Sequence, residues 1–204
     1  MINPGRGYKN EFRIIAGNWR RRRIRFPEIP GIRPSPDRVR ETLFNWLMPH
    51  IGGARCLDLF AGSGALGLEA LSRGAARVLF IEQEHRSAEA LRGHLQALQA
   101  GNAEVLQSDA LAFLQASPRH AFDIVFMDPP FDSPLLAQAV DLLSRPGWLA
   151  VKALVYLEFP VDRVLQLPAA WTLYREGHAG RVGFALARHS AADLPASEKP
   201  AIQT

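Results

Sequence analysis

One stretch of the sequence decides the fold, and it reads Asp58-Leu59-Phe60-Ala61-Gly62-Ser63-Gly64-Ala65-Leu66-Gly67. It follows residues 54–57, a short and mostly apolar run that is typical of a buried strand. It leads into residues 66–73, a helix-forming run that Gly74 ends. A strand, a glycine-rich turn and a helix in this order form the first half of a nucleotide-binding βαβ unit. Glycines let the backbone approach a ligand there, and the helix start presents free N–H groups.

The ligand of this turn has two candidates. Glu82 lies twenty residues after Gly62, at the end of the next strand-like run, where a carboxylate can accept two hydrogen bonds from a ribose diol. The spacing Gly62-x-Gly64-x-x-Gly67 matches the dinucleotide fingerprint, which permits NAD. Asp58 favours S-adenosylmethionine, because a carboxylate repels a pyrophosphate but attracts a sulfonium and an ammonium group. We therefore favour the methyl donor over NAD, and a glycine turn without a ligand is the third interpretation.

The bulk properties indicate one globular domain. A chain of 204 residues is long enough to bury a sizeable core. The lone cysteine, Cys56, falls in the apolar strand before the glycine turn, which excludes a disulfide framework and a zinc site built on several cysteines. The apolar runs are too short to span a bilayer, and the N-terminus lacks the apolar segment of a signal peptide. We expect a cytoplasmic protein that does not contact a membrane.

Positive charge is concentrated near the N-terminus. Residues 1–40 carry a net charge of +8, whereas residues 41–204 carry −4. Residues 12–19 and 20–26 are predicted to form a β-hairpin around a turn at Gly17-Asn18. Five arginines fall within six residues of its second half, between Trp19 and Phe26. This composition is typical of a nucleic-acid contact, and a solvated charged face is the alternative.

The rest of the chain alternates helices with strands. A helix that begins at Ser35 or Pro36 and ends before Pro49 precedes the glycine turn. The alternation predicts a mostly parallel, doubly wound sheet with helices on both faces and a C-terminal antiparallel hairpin. The predicted strands are residues 103–107, 122–127, 153–158, 171–176 and 182–188, and the predicted helices are residues 85–100, 110–115 and 133–143. We divide the chain into a basic arm (1–35), a catalytic domain (36–189) and a disordered tail (190–204).

A second motif, Asp128-Pro129-Pro130-Phe131, ends one of these strands. Ligands of an open α/β sheet bind beyond the carboxyl ends of its strands, and we expect this strand to lie beside the one that ends at Asp58. The two prolines fix the backbone and leave carbonyl oxygens without competing local donors. Asp128 and a proline carbonyl can then accept both hydrogens of an exocyclic amino group, and Phe131 offers a flat face to an unstacked base. The motif indicates methyl transfer to an amine, although a proline-rich turn with a solvated aspartate has the same composition.

Asp-Pro-Pro-Phe after a strand resembles the signature of enzymes that methylate exocyclic nitrogens of adenine, cytosine or guanine. The whole arrangement resembles the RsmD family, which methylates a guanine N2 in bacterial small-subunit (16S) ribosomal RNA. The matching pieces extend over about residues 12–188, and they are residues 13–20, 33–47, 58–73 and 128–131. The resemblance implies a Rossmann-like, S-adenosylmethionine-dependent methyltransferase fold with an N-terminal basic hairpin. It also implies S-adenosylhomocysteine as product, a monomeric enzyme, and 16S rRNA in a partly or fully assembled small subunit as substrate.

The resemblance assigns roles to individual residues. It implies catalysis by Asp128, Pro129 and Phe131, and donor binding by Arg38, Asp58, Phe60, Gly62, Gly64, Glu82 and Asp109. We expect RNA contacts from Arg20, Arg21, Arg22, Arg23 and Arg25, a run denser than the family's pattern, and no metal ligands. A DNA adenine or cytosine amino-methyltransferase, a non-catalytic RNA-binding assembly factor and an NAD-linked oxidoreductase are the alternatives.

Overall fold

The computed structural model of the chain describes residues 8, 10–29, 36–131 and 133–190. No helix among these residues is both long and apolar enough to cross a membrane. The strands are β1 (Asn10–Arg13), β2 (Arg23–Phe26), β3 (Arg55–Asp58), β4 (Arg77–Glu82), β5 (Ala103–Gln107), β6 (Phe122–Met127), β7 (Leu149–Pro160), β8 (Trp171–Ala179) and β9 (Val182–His189). The helices are α1 (Asp37–Leu47), α2 (Ala65–Ser72), α3 (His85–Ala97), α4 (Ala110–Gln115) and α5 (Leu135–Leu143).

Seven strands form one sheet in the order β5-β4-β3-β6-β7-β9-β8. The five strands from β5 to β7 are parallel, and the β8–β9 hairpin adds two antiparallel strands at one edge. The chain order reverses between β3 and β6, which lie side by side as the sequence predicted. Such a reversal opens a crevice at the carboxyl ends of the two strands. The prediction of a Rossmann-like sheet with a C-terminal antiparallel hairpin is confirmed.

Two apolar cores cover the two faces of this sheet. Helices α1, α2 and α3 pack on one face, and α4 and α5 pack on the other. Along β6, Ile124 and Phe126 belong to the first core, whereas Val125 and Met127 belong to the second. This alternation follows from the two-residue period of a strand. It explains why the central strands are apolar almost throughout and why charged side chains occur mainly at their ends.

Several predicted boundaries are correct and others need correction. Strands β5 and β6 and helix α4 have the predicted bounds. Helix α3 ends at Ala97 instead of residue 100, because Gln99 adopts a left-handed backbone conformation with φ of 55°. Helix α5 begins at Leu135, after Pro134, and not at residue 133. The prediction of a disordered tail at 190–204 lies outside the described residues beyond position 190.

The N-terminal hairpin has shorter strands than predicted. The chain turns between β1 and β2 through residues 17–21, so Arg20, Arg21 and Arg22 do not belong to a strand. Arg21 has a φ of 67°, which is a left-handed backbone conformation, and the Ile14 N–H donates to the Arg22 carbonyl at the base of the turn. The hairpin therefore presents these three arginines on a tight turn.

Backbone hydrogen bonds attach this turn to α2. The Ile15 and Ala16 N–H groups donate to the Glu69 carboxylate at 2.8 and 3.0 Å. The Trp19 N–H donates to the Ser72 hydroxyl at 2.9 Å, and the Asn18 N–H donates to the Ser72 carbonyl at 2.7 Å. The hairpin is thus fixed to α2 through groups that lie far away in the sequence.

A buried arginine reinforces the same attachment. Arg40 is fully buried and donates to the Arg13 carbonyl at 3.0 Å and to the Asp37 carboxylate at 2.6 Å. Its guanidinium lies 3.8 Å from Glu69 and 5.1 Å from the centre of the Phe12 ring. A cation in the first turn of a helix opposes the helix dipole, so such a residue needs anionic partners, and Arg40 has two.

Gly17 allows the close approach of the hairpin to α2. It has a φ of +80°, and a Cβ atom at this position would lie only 1.8 Å from the Ser72 carbonyl oxygen. Gly53 has nearly the same φ, +77°, but a Cβ atom there would meet nothing within 4 Å. A side chain would strain the backbone equally at both glycines, because both have a positive φ. Only at Gly17 would it also clash with Ser72.

We expect Gly17→Ala to destabilise the protein by about 2–3 kcal/mol more than Gly53→Ala, because only the first substitution forces the hairpin away from α2. The shared strain of a left-handed alanine should cost both variants about 1 kcal/mol. Denaturant unfolding of the two variants measures the difference. Equal losses would show that the docking of the hairpin does not depend on this contact.

Candidate active site

Five carboxylates lie at the carboxyl ends of five neighbouring parallel strands. In the spatial order of the sheet they are Asp109 after β5, Glu82 on β4, Asp58 on β3, Asp128 after β6 and Glu158 on β7. Each is at the end of its strand or within two residues of it. The reversal of chain order between β3 and β6 falls in the middle of this row, which is the expected place for a ligand.

Asp58 lies beneath the glycine turn. Its side chain is buried, and one carboxylate oxygen accepts the Gly67 N–H at 2.9 Å. Burial raises the pKa of Asp58 to about 7, the Gly67 hydrogen bond opposes that rise, and the negative charge of Glu82 adds to it. The carboxylate thus connects the end of β3 to the first turn of α2, and a cation bound near it would favour its ionised form.

The backbone conformation and the packing of the turn explain why its three glycines are glycines. Gly64 precedes α2 with a φ of +78°. A Cβ atom on Gly67 would lie 2.1 Å from the Phe80 ring, so this glycine lets α2 pack closely on β4. Gly62 also has a positive φ, and Phe60 is half-buried before it. The spacing that matches the dinucleotide fingerprint therefore serves the turn and the helix packing, and it does not require a dinucleotide.

Glu82 holds the same turn from the neighbouring strand. Its carboxylate accepts the Gly62 N–H at 2.6 Å and the Glu84 N–H at 2.7 Å. Burial raises the pKa of Glu82, while these N–H groups oppose that rise. Each carboxylate oxygen has a second acceptor position, so both backbone bonds are compatible with a ribose diol.

The other two candidates for donor binding are exposed. Asp109 accepts the Ala112 N–H at 2.9 Å and so caps α4. Arg38 lies in the first turn of α1, beside the buried Arg40. Of the seven predicted donor-binding residues, six lie at or shortly after the carboxyl ends of β3, β4 and β5, and Arg38 lies on α1.

The Asp-Pro-Pro-Phe segment borders a cavity of about 210 Å³. Asp128 and Phe131 are half-buried and Pro129 is buried. The Ser133 hydroxyl donates to the Pro130 carbonyl at 2.6 Å, which fixes the end of the segment. The cavity lies between this segment, α5 and residues 158–166. An apolar cavity beside an acceptor-rich backbone suits a flat heterocyclic group.

Sequence reasoning missed Tyr156 and Glu158. The Tyr156 hydroxyl donates to Glu158 at 2.7 Å, and both side chains are buried. Burial and the negative charge of Glu158 hold the pKa of Tyr156 well above its ordinary value, and the charge of Asp128 acts in the same direction. One signal was available, because Glu158 is the one acidic residue of β7 and follows the apolar run 153–157 near the end of the strand.

The predicted RNA-binding arginines lie away from this edge. Arg20, Arg21, Arg22, Arg23 and Arg25 are all exposed, and the last two form ion pairs with Glu11. The arginine-bearing turn contacts Ser72 at the end of α2, whereas the glycine turn precedes its first residue. The eight residues of α2 separate the two turns by about 12 Å. These arginines could meet nucleotides that flank a bound base, and their role in RNA binding stays a prediction.

The strand-end carboxylates do not form a metal centre. Within the described ranges, no three His, Cys, Asp or Glu side chains are grouped so that they could hold an ion. Cys56 is buried in β3, and burial raises the pKa of its thiol, which makes it unsuited to nucleophilic attack. The chemistry of this edge rests on carboxylates, backbone carbonyls and aromatic faces.

Comparison with known proteins agrees with this arrangement. A family model described as conserved hypothetical protein 95 matches residues 12–188. The chain is 49% identical to an Escherichia coli protein named ribosomal RNA small subunit methyltransferase D, over 94% of this chain and 96% of that protein. It is 48% identical to a Haemophilus influenzae protein of the same name, over 87% and 94%. A solved Escherichia coli chain described as a methyltransferase has a TM-score of 0.81 at 49% identity, and covers 89% of this chain and 99% of its own.

The buried Asp58 predicts a pH-dependent stability. Its carboxyl ionises near 3.8 in the unfolded chain and near 7 in the folded one, so the folded state favours the protonated form. The resulting stabilisation is complete below about pH 4 and is lost as the pH rises through 7. We expect the free energy of unfolding of the wild type, relative to Asp58→Asn, to fall by on the order of 4 kcal/mol over this range. Denaturant unfolding between pH 4 and 8 measures the difference, and a constant difference would contradict the assignment.

Proposed function

Because the chain belongs to the RsmD family, described by its family model as conserved hypothetical protein 95, we propose that it is an S-adenosylmethionine-dependent methyltransferase of small-subunit ribosomal RNA. The acceptor atom in this proposal is the exocyclic N2 of a guanine in 16S rRNA, within a partly or fully assembled small subunit. The enzyme acts as a monomer, and its substrate places it in the cytoplasm.

One observation supports the reaction most directly. The glycine turn with Asp58 and the segment with Asp128 end neighbouring strands at the point where the chain order reverses. A donor held above the first strand end and an amine held above the second would therefore meet. The residues on the donor side fit S-adenosylmethionine, because desolvated carboxylates gain a cationic partner and Glu82 retains acceptor positions for a diol.

The chain's own groups explain how an unreactive amine becomes a nucleophile. The N2 lone pair of guanine is delocalised into the ring, which makes the nitrogen planar and weakly nucleophilic. Asp128 and the Pro129 carbonyl accept the two N2 hydrogens and so favour a tetrahedral nitrogen with its lone pair directed at the donor. Bound S-adenosylmethionine supplies a methyl group made electrophilic by its sulfonium.

Asp128 also stabilises the charge that appears during transfer. The nitrogen–carbon bond forms as the sulfur–carbon bond breaks, and positive charge develops on the nitrogen. A carboxylate fixed beside that nitrogen lowers the energy of this state more than that of the neutral amine. The nitrogen then releases one proton to water, which restores the neutral, methylated base. Phe131 supports the base by stacking.

The N-terminal arm is proposed to hold the RNA outside the reacting base. Residues 1–35 contain the exposed arginines of the docked turn, and the attachment through Glu69 and Ser72 gives them a fixed position relative to the strand ends. Phosphate contacts of this kind position a nucleic acid without reading its sequence. The arm would therefore contribute affinity and register.

Methyl transfer to ribosomal RNA tests the proposed function. RNA and small subunits from cells that lack the protein are incubated with it and a labelled donor, and the labelled nucleoside is identified after digestion. We expect N2-methylguanosine from 16S rRNA. Labelled adenosine or cytidine would support the other amino-methyltransferases that use the same motif, and RNA binding without transfer would support an assembly factor.

Asp128→Asn should slow the transfer by roughly two or more powers of ten, because the variant loses the negative charge that stabilises the transition state. Single-turnover transfer at saturating donor and RNA measures this step. Asp123→Asn is the matched control, since Asp123 lies on the same strand and pairs with Arg55 away from the strand end. A near-normal rate in Asp128→Asn would reject Asp128 as the catalytic acceptor.

Replacement of Arg20, Arg21 and Arg22 by alanine should weaken RNA binding and reduce its salt dependence, with donor affinity unchanged. Three exposed arginines outside the arm provide a charge-matched control, namely Arg119, Arg145 and Arg175. RNA affinity measured at several salt concentrations separates the two triple variants. Equal effects of both would mean that only net charge matters, and the arm would lose its proposed role.

A further inference from the structure

Glu158 is a buried carboxylate that the proposed reaction does not use. Only 3% of the residue is exposed. Removal of a carboxylate from water is unfavourable unless donors compensate for it, so a buried glutamate at the end of a strand calls for a specific role. The Tyr156 hydroxyl supplies one hydrogen bond at 2.7 Å. A carboxylate has about four acceptor positions, which leaves room for a ligand donor as well.

The register of the sheet places Glu158 beside the catalytic segment. Strands β6 and β7 are parallel, and Met127 pairs with Leu157. The next residues on each strand are Asp128 and Glu158, so both carboxylates leave the same end of two adjacent strands. Burial raises the pKa of Tyr156, and the charges of Glu158 and Asp128 raise it further.

The cavity beside the catalytic segment connects the two strand ends. Its lining includes Pro129, Pro130 and Phe131 from the β6 end and Glu158 and Phe159 from the β7 end. A base that stacks on Phe131 and presents an amino group to Asp128 and Pro129 would have its neighbouring ring atom close to the β7 end. The atom next to the amino group is therefore the one that β7 can recognise.

That neighbouring atom distinguishes guanine from the other bases that carry an exocyclic amine. On the Watson–Crick edge of guanine, the ring N1 beside the amino group carries a hydrogen and is a donor. The corresponding ring nitrogens of adenine (N1) and cytosine (N3) carry a lone pair and are acceptors. A carboxylate accepts a hydrogen bond from the first and repels the lone pair of the others.

We propose that Glu158 is the residue that selects guanine, by accepting the N1–H of the target base while Asp128 and Pro129 accept the hydrogens of N2. This inference rests on the proposed function and adds the residue that determines its specificity. A polar group in a desolvated site discriminates strongly, because a base without the matching donor places a ring lone pair against the carboxylate. Glu158 is thereby the part of the site that separates this enzyme from adenine and cytosine methyltransferases with the same catalytic motif.

Binding of three nucleotides tests the proposal without RNA. Guanosine monophosphate has both N1–H and N2, inosine monophosphate keeps N1–H and lacks N2, and 2-aminopurine riboside monophosphate keeps N2 and lacks N1–H. Dissociation constants are measured by NMR titration of the protein saturated with S-adenosylhomocysteine. We expect guanosine monophosphate to bind about tenfold or more tighter than the 2-aminopurine nucleotide, with inosine monophosphate close to guanosine monophosphate. Equal binding of all three, or no binding of guanosine monophosphate, would overturn the proposal.

Three variants separate base selection from a purely structural role. In Glu158→Gln the amide can accept from N1–H or donate to a ring lone pair, so the tenfold preference should fall below about threefold. Tyr156→Phe removes the hydrogen bond that the Tyr156 hydroxyl donates to Glu158 but keeps the carboxylate, and should retain the preference. Asp123→Asn should also retain it. An unchanged preference in Glu158→Gln would overturn the proposal, since the discrimination would then come from the O6 atom that 2-aminopurine also lacks.

The outcome is independent of the test of the proposed function. If the wild type forms N2-methylguanosine but shows no preference among the three nucleotides, the function holds and the role of Glu158 is wrong. If the wild type methylates no ribosomal RNA, the proposed function fails whatever the nucleotide ranking. The ranking in the wild type needs no variant, so it decides the question even if Glu158→Gln does not fold.

Discussion

The hydrogen bond from the Gly67 N–H to the buried Asp58 carboxylate is the constraint on which the site depends. It joins the end of β3 to the first turn of α2 and so determines the path of the glycine turn between them. Glu82 holds the same turn from β4 through the Gly62 N–H. The protein thus keeps two desolvated carboxylates, each with a raised pKa, around the proposed donor pocket. A ligand with positive charge relieves that desolvation, which is a physical reason for such a pocket to prefer a sulfonium to a pyrophosphate.

The parallel strands place similar carboxylates along the whole edge of the sheet. Because their carboxyl ends lie side by side, one acidic residue at each end produces a row of five. The reversal of chain order divides the row into a half beside the glycine turn, with Asp109, Glu82 and Asp58, and a half beside the cavity, with Asp128 and Glu158. In our account the first half binds the donor, and the second half holds and identifies the base. The basic turn is fixed to the far end of α2, so the proposed RNA contacts are separate from the proposed catalytic contacts.

The sequence allowed prediction wherever a local signal existed. The glycine turn and Asp-Pro-Pro-Phe are each one uninterrupted stretch of sequence, and glycines and prolines mark the ends of the strands around them. The sheet and the neighbouring positions of Asp58 and Asp128 therefore followed from the pattern alone. The docking of the hairpin could not be predicted in this way. The bond between Ile15 and Glu69 joins residues 54 positions apart, and neither residue type indicates which partner it has. Arg21 could not be assigned to a turn, since a left-handed backbone at an arginine depends on the docked hairpin and not on a propensity. Glu158 was overlooked because the apolar run around it indicated a core strand, although the same strand-end rule that found Asp58 and Asp128 applies to it.

The division of the edge into a donor half and an acceptor half is the central claim, and calorimetry of S-adenosylhomocysteine binding to amide variants tests it most directly. Glu82→Gln removes the carboxylate that we propose to bind the ribose and should weaken binding about tenfold or more, the size of one charge-assisted hydrogen bond. Asp128→Asn and Glu158→Gln should leave the affinity within about twofold of the wild type, because their partners lie on the base. An unaltered affinity in Glu82→Gln, or a loss in the acceptor-half variants as large as in Glu82→Gln, would contradict the account.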